Sequence, residues 1–138
     1  MCLVNLQSIA KGNPLPLGKE HLAHYPNKTG VYLVYIIQPQ GLPFQLPRWN
    51  GQVDDSGLIY IGRSERQTLQ KRIQQFCLSY NEGGGTTNHT AGLKLRDRCN
   101  WQHELTVRFH ICNNAAVMER SLLDEYVRRY WEYPPLNK

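Results

Sequence analysis

The stretch Gly30-Val-Tyr-Leu-Val-Tyr-Ile-Ile37 decides the fold class of this chain. After its glycine it consists of β-branched, aromatic and leucine residues, so both alternating sets of positions are apolar. That pattern predicts a central strand whose two faces are both covered. A second strand is predicted at residues 58–62. The simplest connection is a hairpin with a long surface loop, because residues 38–57 are rich in proline and glycine.

The apolar pattern becomes helical after the second strand. Apolar residues recur at helical spacing from Leu69 to Tyr80, with Thr68 available as the N-cap. This spacing predicts a helix that ends before the glycine run at 83–85. A polar insert follows, and we expect a short basic helix near residues 91–98.

The last third of the chain predicts one more strand and one more helix. Residues 105–111 alternate between apolar and polar side chains, which indicates a strand with one covered face and one open, polar face. A final apolar stripe predicts a helix that Asn113 or Asn114 caps and that Pro134 ends.

The predicted elements fit one α+β domain with a small three-stranded antiparallel sheet flanked by helices. Residues 1–29 read as an N-terminal arm with a short helical turn. Residues 30–138 form the main domain, with inserts at about 38–57 and 81–100. The 138 residues and 16.0 kDa suit a single core, and 41% hydrophobic with 20% charged residues excludes a disordered chain.

The sequence gives no indication of a membrane protein. Its longest apolar run, residues 31–37, falls far short of the roughly 20 residues that span a bilayer. The N-terminus lacks a basic start followed by a long apolar stretch. We therefore expect no membrane partner and a cytoplasmic location.

Positive charge is confined to two short segments. Residues 60–72 carry a net charge of +3 and residues 94–98 a net charge of +2, which together account for the whole formal charge of +5. Such local excess is typical of a surface that binds a polyphosphate, because neutralised phosphates release counterions. A solvated helix face is the alternative. The candidate nucleic-acid-binding residues are Arg63, Arg66, Lys71, Lys94, Arg96 and Arg98.

The four cysteines lack the two-residue spacing of a metal knuckle or redox motif, so buried or inert thiols are the simplest interpretation. A zinc site remains an alternative. Cys99 and His103 lie four residues apart, and His110 and Cys112 share one face of the predicted third strand.

Two charged residues occupy unusual positions on the predicted helices. Arg72 and Glu119 each lie at the edge of an apolar stripe that should face the sheet. A carboxylate at such an edge is costly unless it is paired or holds a metal. A partly buried ion pair between Arg72 and Glu119 is the purely structural explanation.

Two tyrosines beside glycines favour a functional explanation. They stand in Gly30-Val31-Tyr32 and Tyr60-Ile61-Gly62, and a basic helix with Arg72, a helix with Glu119 and the closing Pro135-Leu136-Asn137 follow in order. In these motifs the chain resembles the GIY-YIG nuclease family from about Gly30 to Asn137. The resemblance implies a metal-dependent endonuclease that hydrolyses DNA phosphodiester bonds.

The resemblance also implies a role for each of these residues. Tyr32 would lie against the attacking water and accept its proton, with Tyr60 beside it, and cations such as Arg63 would have to lower the phenol pKa. Arg72 would face the scissile phosphate. Glu119 would hold Mg²⁺ or Mn²⁺ as the single metal-binding carboxylate. Asn137 would make a supporting or phosphate contact.

Two departures from the family pattern set the competing hypotheses. The connection between the two tyrosine strands is longer than the family's usual short link. Phe76 stands where many members carry a tyrosine or histidine, and phenylalanine cannot pass a proton. His89 is the candidate substitute, with an ordinary exposed loop histidine as the alternative.

The rival to a nuclease is a nucleic-acid-binding module of the same fold without turnover. A zinc-stabilised interaction domain is a third hypothesis.

Overall fold

A computed structural model of the chain describes residues 4–38, 40–82 and 104–137. In these residues the helices are α1 (Leu6–Ala10), α2 (Leu69–Glu82) and α3 (Ala115–Tyr130), with a 3-10 helix at Lys19–His24. The strands are β1 (Leu15–Pro16), β2 (Gly30–Ile37), β3 (Leu46–Pro47), β4 (Val53–Asp54), β5 (Leu58–Ser64) and β6 (Glu104–Ile111). The predicted α+β class is confirmed.

The main sheet has four antiparallel strands in the order β1-β6-β2-β5, so the prediction of three strands is wrong. The fourth strand comes from the N-terminal arm, where Leu15 and Pro16 pair with Val107 and Thr106 of β6. A two-residue strand is too short for its side-chain pattern to be read from sequence. Strands β3 and β4 form a separate two-stranded sheet within the insert at 38–57.

Strand β2 lies at the centre of the core, as its sequence predicts, because residues 31–36 are all buried. One face of the sheet packs against α2 and the 3-10 helix, in a cluster that includes Tyr32 and Phe76. The other face packs against α1 and α3, in a cluster that includes Leu33 and Leu122. The two helices that carry Arg72 and Glu119 therefore lie on opposite faces of the sheet, and both pack against β5.

The polar face of β6 is covered more than the sequence predicts. Thr106 is buried, and the guanidinium of Arg108 lies 4.5 Å from the centre of the Tyr35 ring. Arg108 Nε also donates a hydrogen bond to the carbonyl of Gly12 at 2.9 Å. The loop after α1 thus covers part of this face. The sequence pattern of β6 could not show this cover, because it comes from a segment far away in the chain.

The insert at 38–57 is tied to the C-terminal half of α3. The Asn50 side chain donates to the carbonyl of Arg129 at 2.9 Å, and the Tyr126 hydroxyl donates to the buried carboxylate of Asp54 at 2.6 Å. These bonds hold the long connection between β2 and β5 against the body of the fold, and the two strands still pair directly. No helix within the described ranges is long and apolar enough to span a membrane.

Candidate functional site

Two tyrosines lie side by side on the α2 face of the sheet. The rings of Tyr32 and Tyr60 are 5.8 Å apart between centroids and are inclined at 52°. Tyr32 is fully buried, whereas Tyr60 is partly exposed and lines an open cleft. The tyrosine that faces the cleft is therefore Tyr60, and Tyr32 lies behind it. The resemblance to the family had placed Tyr32, and not Tyr60, against the attacking water.

A chain of hydrogen bonds connects Arg72 to these tyrosines. The guanidinium of Arg72 donates to the Tyr32 oxygen, and the Tyr32 hydroxyl donates to the Tyr60 oxygen. Each bond lowers the pKa of the acceptor because a donor stabilises the phenolate form. Arg72 therefore bonds to Tyr32 directly and acts on the pKa of Tyr60, the phenol that lines the cleft, through its charge.

Burial nevertheless raises the pKa of both phenols. For Tyr32 it outweighs the opposing effect of Arg72, and the neighbouring Tyr60 adds to the increase. For Tyr60 burial and the Glu119 carboxylate together outweigh the opposing effects of Tyr32, Arg72 and Arg63. Cations near the tyrosines thus act in the direction that the sequence led us to expect, but by themselves they do not bring either pKa below its ordinary value.

Arg72 is held in place by two glutamines that the sequence analysis missed. Arg72 Nη1 donates to Gln75 Oε1 at 2.8 Å, and the amide groups of Gln75 and Gln67 form two reciprocal hydrogen bonds at 3.0 and 3.2 Å. The Ser64 hydroxyl in turn donates to the carbonyl of Gln67. Gln75 was detectable, because it lies three residues after Arg72 on a predicted helix. Gln67 had no sequence signal.

Glu119 reaches the same cleft from α3, on the other face of the sheet. Its side chain is 19% exposed, and Oε1 accepts a hydrogen bond from Arg63 Nη1 at 3.1 Å. Burial raises the pKa of Glu119, and the ion pair with Arg63 opposes that increase. The partner of Glu119 is therefore Arg63 of β5. Arg72 donates to Gln75 instead, so the purely structural Arg72–Glu119 pair does not form.

Glu65 caps the N-terminus of α3 from a distant part of the chain. Its Oε1 accepts a hydrogen bond from the backbone N–H of Ala116 at 3.0 Å, and its Oε2 lies 3.6 Å from Arg63 Nε. Asn114 occupies the N-cap position but makes no capping bond with its side chain. Arg63 thus lies between two carboxylates, one of which orients the helix that carries the other.

The cleft formed by these groups lies at the β5 edge of the sheet and has a volume of about 660 Å³. Its cations are Arg63, Arg66, Lys71 and Arg72, and its carboxylates are Glu65 and Glu119. The N-terminus of α2 is fixed there by Thr68, whose hydroxyl accepts from the N–H of Lys71 at 3.2 Å, as predicted. The cleft is therefore open, polar and rich in positive charge.

No protein-family model, curated protein or solved structure matches this chain. The resemblance to the GIY-YIG family therefore rests on the sequence motifs alone. Of those residues Tyr60, Arg72 and Glu119 line the cleft, and Tyr32 contacts Tyr60 from behind.

Asn137 lies in a turn beside the edge strand β5 and outside the lining of the cleft. Its side-chain NH₂ donates to the carbonyl of Ile61 at 2.9 Å, and its Oδ1 accepts from the N–H of Ile61 at 3.0 Å. The N–H of Leu136 bonds to the carbonyl of Ile59 at 2.9 Å. The C-terminal segment thus pairs with the free edge of β5, so Asn137 positions the Tyr60-Ile61-Gly62 strand.

Phe76 is fully buried and packs against Tyr60, with 6.2 Å between ring centroids. His89, its predicted substitute, lies outside the described residues. So do Lys94, Arg96 and Arg98 of the second basic segment.

The zinc cluster that the sequence left as an alternative receives no support from the residues that are described. Cys99 and His103 fall outside them, and no group of three His, Cys, Asp or Glu side chains lies together within 4–38, 40–82 and 104–137. Cys77 is a free, buried thiol, and burial raises its pKa to about 11. Its thiolate is therefore disfavoured at neutral pH, in line with the inert role that we expected.

Proposed function

We propose that this protein is a metal-dependent endonuclease that hydrolyses DNA phosphodiester bonds. One observation carries the proposal: Tyr60 from β5, Arg72 from α2 and Glu119 from α3 converge on one open cleft whose lining is rich in cations. Each of these groups is a polar or charged side chain that is partly buried at the cleft. Hydrolysis of a phosphodiester can use all three, as a proton acceptor, a phosphate contact and a metal ligand. DNA as the partner and a cytoplasmic location are parts of this proposal.

Hydrolysis joins a water oxygen to phosphorus and breaks the bond to the 3′ oxygen. The attacking water loses a proton, and the leaving oxygen gains one. The Tyr60 oxygen is the phenol oxygen on the cleft, and the hydrogen bond from Tyr32 stabilises its anionic form. Tyr60 is therefore the proposed proton acceptor in its phenolate form, which it reaches by losing its own proton to the solvent of the open cleft and which a divalent cation held nearby would favour; solvent water then supplies the proton to the leaving oxygen, and Tyr32 orients Tyr60.

Arg72 is the proposed phosphate-binding residue. Negative charge gathers on the non-bridging oxygens in the transition state, and a planar guanidinium can contact two of them at once. Gln75 Oε1 accepts a hydrogen bond from Nη1 of Arg72, and this bond fixes the plane of the guanidinium on α2. Arg63, Arg66 and Lys71 surround it and attract the DNA backbone.

Glu119 is the residue that would hold the divalent cation. Mg²⁺ and Mn²⁺ take hard oxygen ligands, and Mg²⁺ commonly uses one or two carboxylates with water and phosphate oxygens for the rest. The cleft offers two carboxylates, Glu119 at its wall and Glu65 beside Arg63, and that number fits the donor set. The bound metal would supply stabilisation of the charge on the leaving 3′ oxygen.

The experiment is cleavage of a panel of plasmid, branched and single-stranded DNAs with Mg²⁺, with Mn²⁺ and with EDTA. We expect metal-dependent cleavage by the wild type and none by the Glu119→Gln variant, whose binding in EDTA should stay equal or become tighter because a negative charge facing the phosphate is removed. Glu125→Gln is the matched control, because Glu125 lies on the same helix but bonds to the N–H of Leu6. Cleavage that survives in Glu119→Gln contradicts the proposal.

A second candidate function is a nucleic-acid-binding module of the same fold without turnover. The specific observation in its favour is Phe76, a buried ring without proton-transfer chemistry packed on Tyr60. This alternative predicts that the wild type binds DNA in EDTA and cleaves none of the panel with either metal.

A further inference from the structure

A continuous groove leaves the cleft along the exposed side of α3. Arg63 and Glu119, which line the cleft, also line the start of the groove. Its middle section has a volume of about 570 Å³. Tyr133 lines the groove along its whole course, and Trp131 lies at its far end. The groove therefore joins the cleft to an aromatic corner beyond the C-terminus of α3.

The aromatic corner consists of Trp49, Trp131 and Tyr133. Their exposed fractions are 90%, 74% and 41%. Trp49 comes from the insert, and its backbone N–H donates to Oε2 of Glu132 at 2.6 Å, so the backbone of Trp49 lies beside the side chain of the residue that follows Trp131. Large rings normally contribute to stability through burial, so the exposed rings of Trp131 and Tyr133, which line the same section of the groove, indicate a binding surface.

Trp131 adopts a backbone conformation that tryptophan rarely takes. Its φ angle is 62°, in the left-handed region, where the C-terminus of a helix usually has glycine or asparagine. The ring is mostly exposed, so burial does not offset this strain. A strained, exposed tryptophan is better explained by binding than by folding.

Charge along the groove favours a polyanion as the occupant. Arg63, Arg120 and Arg128 line its first two sections together with Glu119 and Asp124. Glu119 is already paired with Arg63, so the middle of the groove carries the exposed Arg120 and Arg128 against one carboxylate, Asp124, and keeps an excess of positive charge. Cations beside exposed aromatic rings are the combination that binds single-stranded nucleic acid, because rings stack on bases and cations contact phosphates.

We propose that the groove binds unpaired nucleotides of a single-stranded DNA segment next to the scissile phosphate. The bases stack on Trp131 and Tyr133, and Arg120 and Arg128 contact the backbone. From Glu119 to Trp131 the chain advances twelve residues, a distance of about 18 Å along a helix and about five stacked nucleotides. This inference rests on the proposed nuclease function and names its substrate class, a duplex with a single-stranded tail or branch.

The test measures affinity in EDTA, so that cleavage plays no part. Fluorescence anisotropy compares a labelled blunt hairpin with the same hairpin carrying an eight-thymidine tail. The wild type should bind the tailed hairpin roughly tenfold more tightly, and the Trp131→Ala/Tyr133→Ala double variant should lose this preference while its affinity for the blunt hairpin is unchanged. Leu42→Ala and Ile111→Ala, which shorten exposed apolar residues elsewhere, should keep the preference.

The results separate this inference from the nuclease proposal. A tail preference that depends on Trp131 and Tyr133 supports the inference even if no DNA is cleaved with either metal, in which case the nuclease proposal fails alone. Cleavage without a tail preference, or a preference that the double variant retains, overturns the inference. Sedimentation of the wild type over a range of concentrations tests a protein partner instead. A dimer that the double variant abolishes, without tail-dependent binding, also overturns it.

Discussion

The ring of Tyr32 lies directly against the backbone of Gly62. A methyl group on Gly62 would lie 2.6 Å from the Tyr32 hydroxyl oxygen and 2.7 Å from Cε2 of Tyr60. Tyr32 and Gly62 are also direct partners across β2 and β5. Glycine in the second motif is thus required by the two tyrosines, because any side chain there would occupy the space that their rings fill.

We therefore expect Gly62→Ala to lower the free energy of unfolding by about 1–3 kcal/mol, as overpacking does, and to reduce any cleavage in the folded fraction. Urea unfolding measures the first effect. Gly41→Ala is the control for activity, since Gly41 has a positive φ of 88° but open space around it, so its replacement costs backbone strain of about 1–2 kcal/mol and should leave the cleavage rate of the folded fraction unchanged. A Gly62→Ala protein with wild-type stability and activity would contradict the placement of the tyrosines.

Arg72→Ala should lose most cleavage, by about 100-fold or more, and Arg72→Lys should recover little of it. A lysine ammonium is a point charge and cannot reproduce the planar contact with two phosphate oxygens. Single-turnover cleavage rates measure the effect. Arg129→Lys serves as the control, because Arg129 is exposed and lies far along α3 from the cleft. Near-normal rates in Arg72→Lys would remove the assigned role.

Gln75 is expected to act as a positioning residue for Arg72. Gln75→Leu removes the acceptor for Arg72 and should reduce the cleavage rate by about tenfold, the value of one charge-assisted hydrogen bond. Gln75→Glu keeps an oxygen acceptor and should restore most of the rate. If both variants fold and lose activity equally, then the hydrogen bond to Arg72 is not what matters at this position.

The stability of the protein should depend on pH through the partly buried carboxyl group of Glu119. Burial raises its folded pKa above the ordinary value of 4.5, so folding favours the protonated form. The stability from this group is fully present below pH 4.5 and declines as the pH rises through the folded pKa. In EDTA at pH 7, Glu119→Gln should be as stable as the wild type or more stable, and the difference should vanish below about pH 4.

Urea unfolding of wild type and Glu119→Gln from pH 3.5 to pH 8 measures this difference. The sign of the difference is informative because the ion pair with Arg63 and the burial of Glu119 act in opposite directions on the Glu119 pKa. If the ion pair between Arg63 and Glu119 outweighed the cost of burial, the glutamine variant would be the less stable protein at pH 7, with its deficit disappearing in acid.

DNA affinity should depend steeply on salt through the cations of the cleft. Charge reversal at Arg66 and Lys71 should weaken binding of all sequences about equally. It should also reduce the slope of log K against log salt by about 0.9 for each phosphate that the variant no longer neutralises. Reversal of Lys94, Arg96 and Arg98 tests the second basic segment in the same way. Binding that is insensitive between low and moderate salt would mean that these charges form only a solvated surface.

The amino-acid sequence by itself determined the elements that depend on local periodicity. The apolar run at Gly30–Ile37 predicted a buried central strand, and Thr68 was recognisable as the start of α2. Arg72 and Glu119 stood out because charge at the edge of an apolar stripe is detectable from helical spacing alone. These features need only neighbours within a few turns or strand positions.

Tertiary structure alone decided which of these residues meet. It paired Glu119 with Arg63, made Glu65 the cap of α3, turned Asn137 toward the edge of β5 and added the arm as a fourth strand. Each of these contacts joins segments that are tens of residues apart or more, and side-chain spacing within a segment carries no information about them. Helices α2 and α3 pack on opposite faces of one sheet and both contact β5. The β5 edge is therefore where the charged residues of the two helices, Arg72 and Glu119, come together.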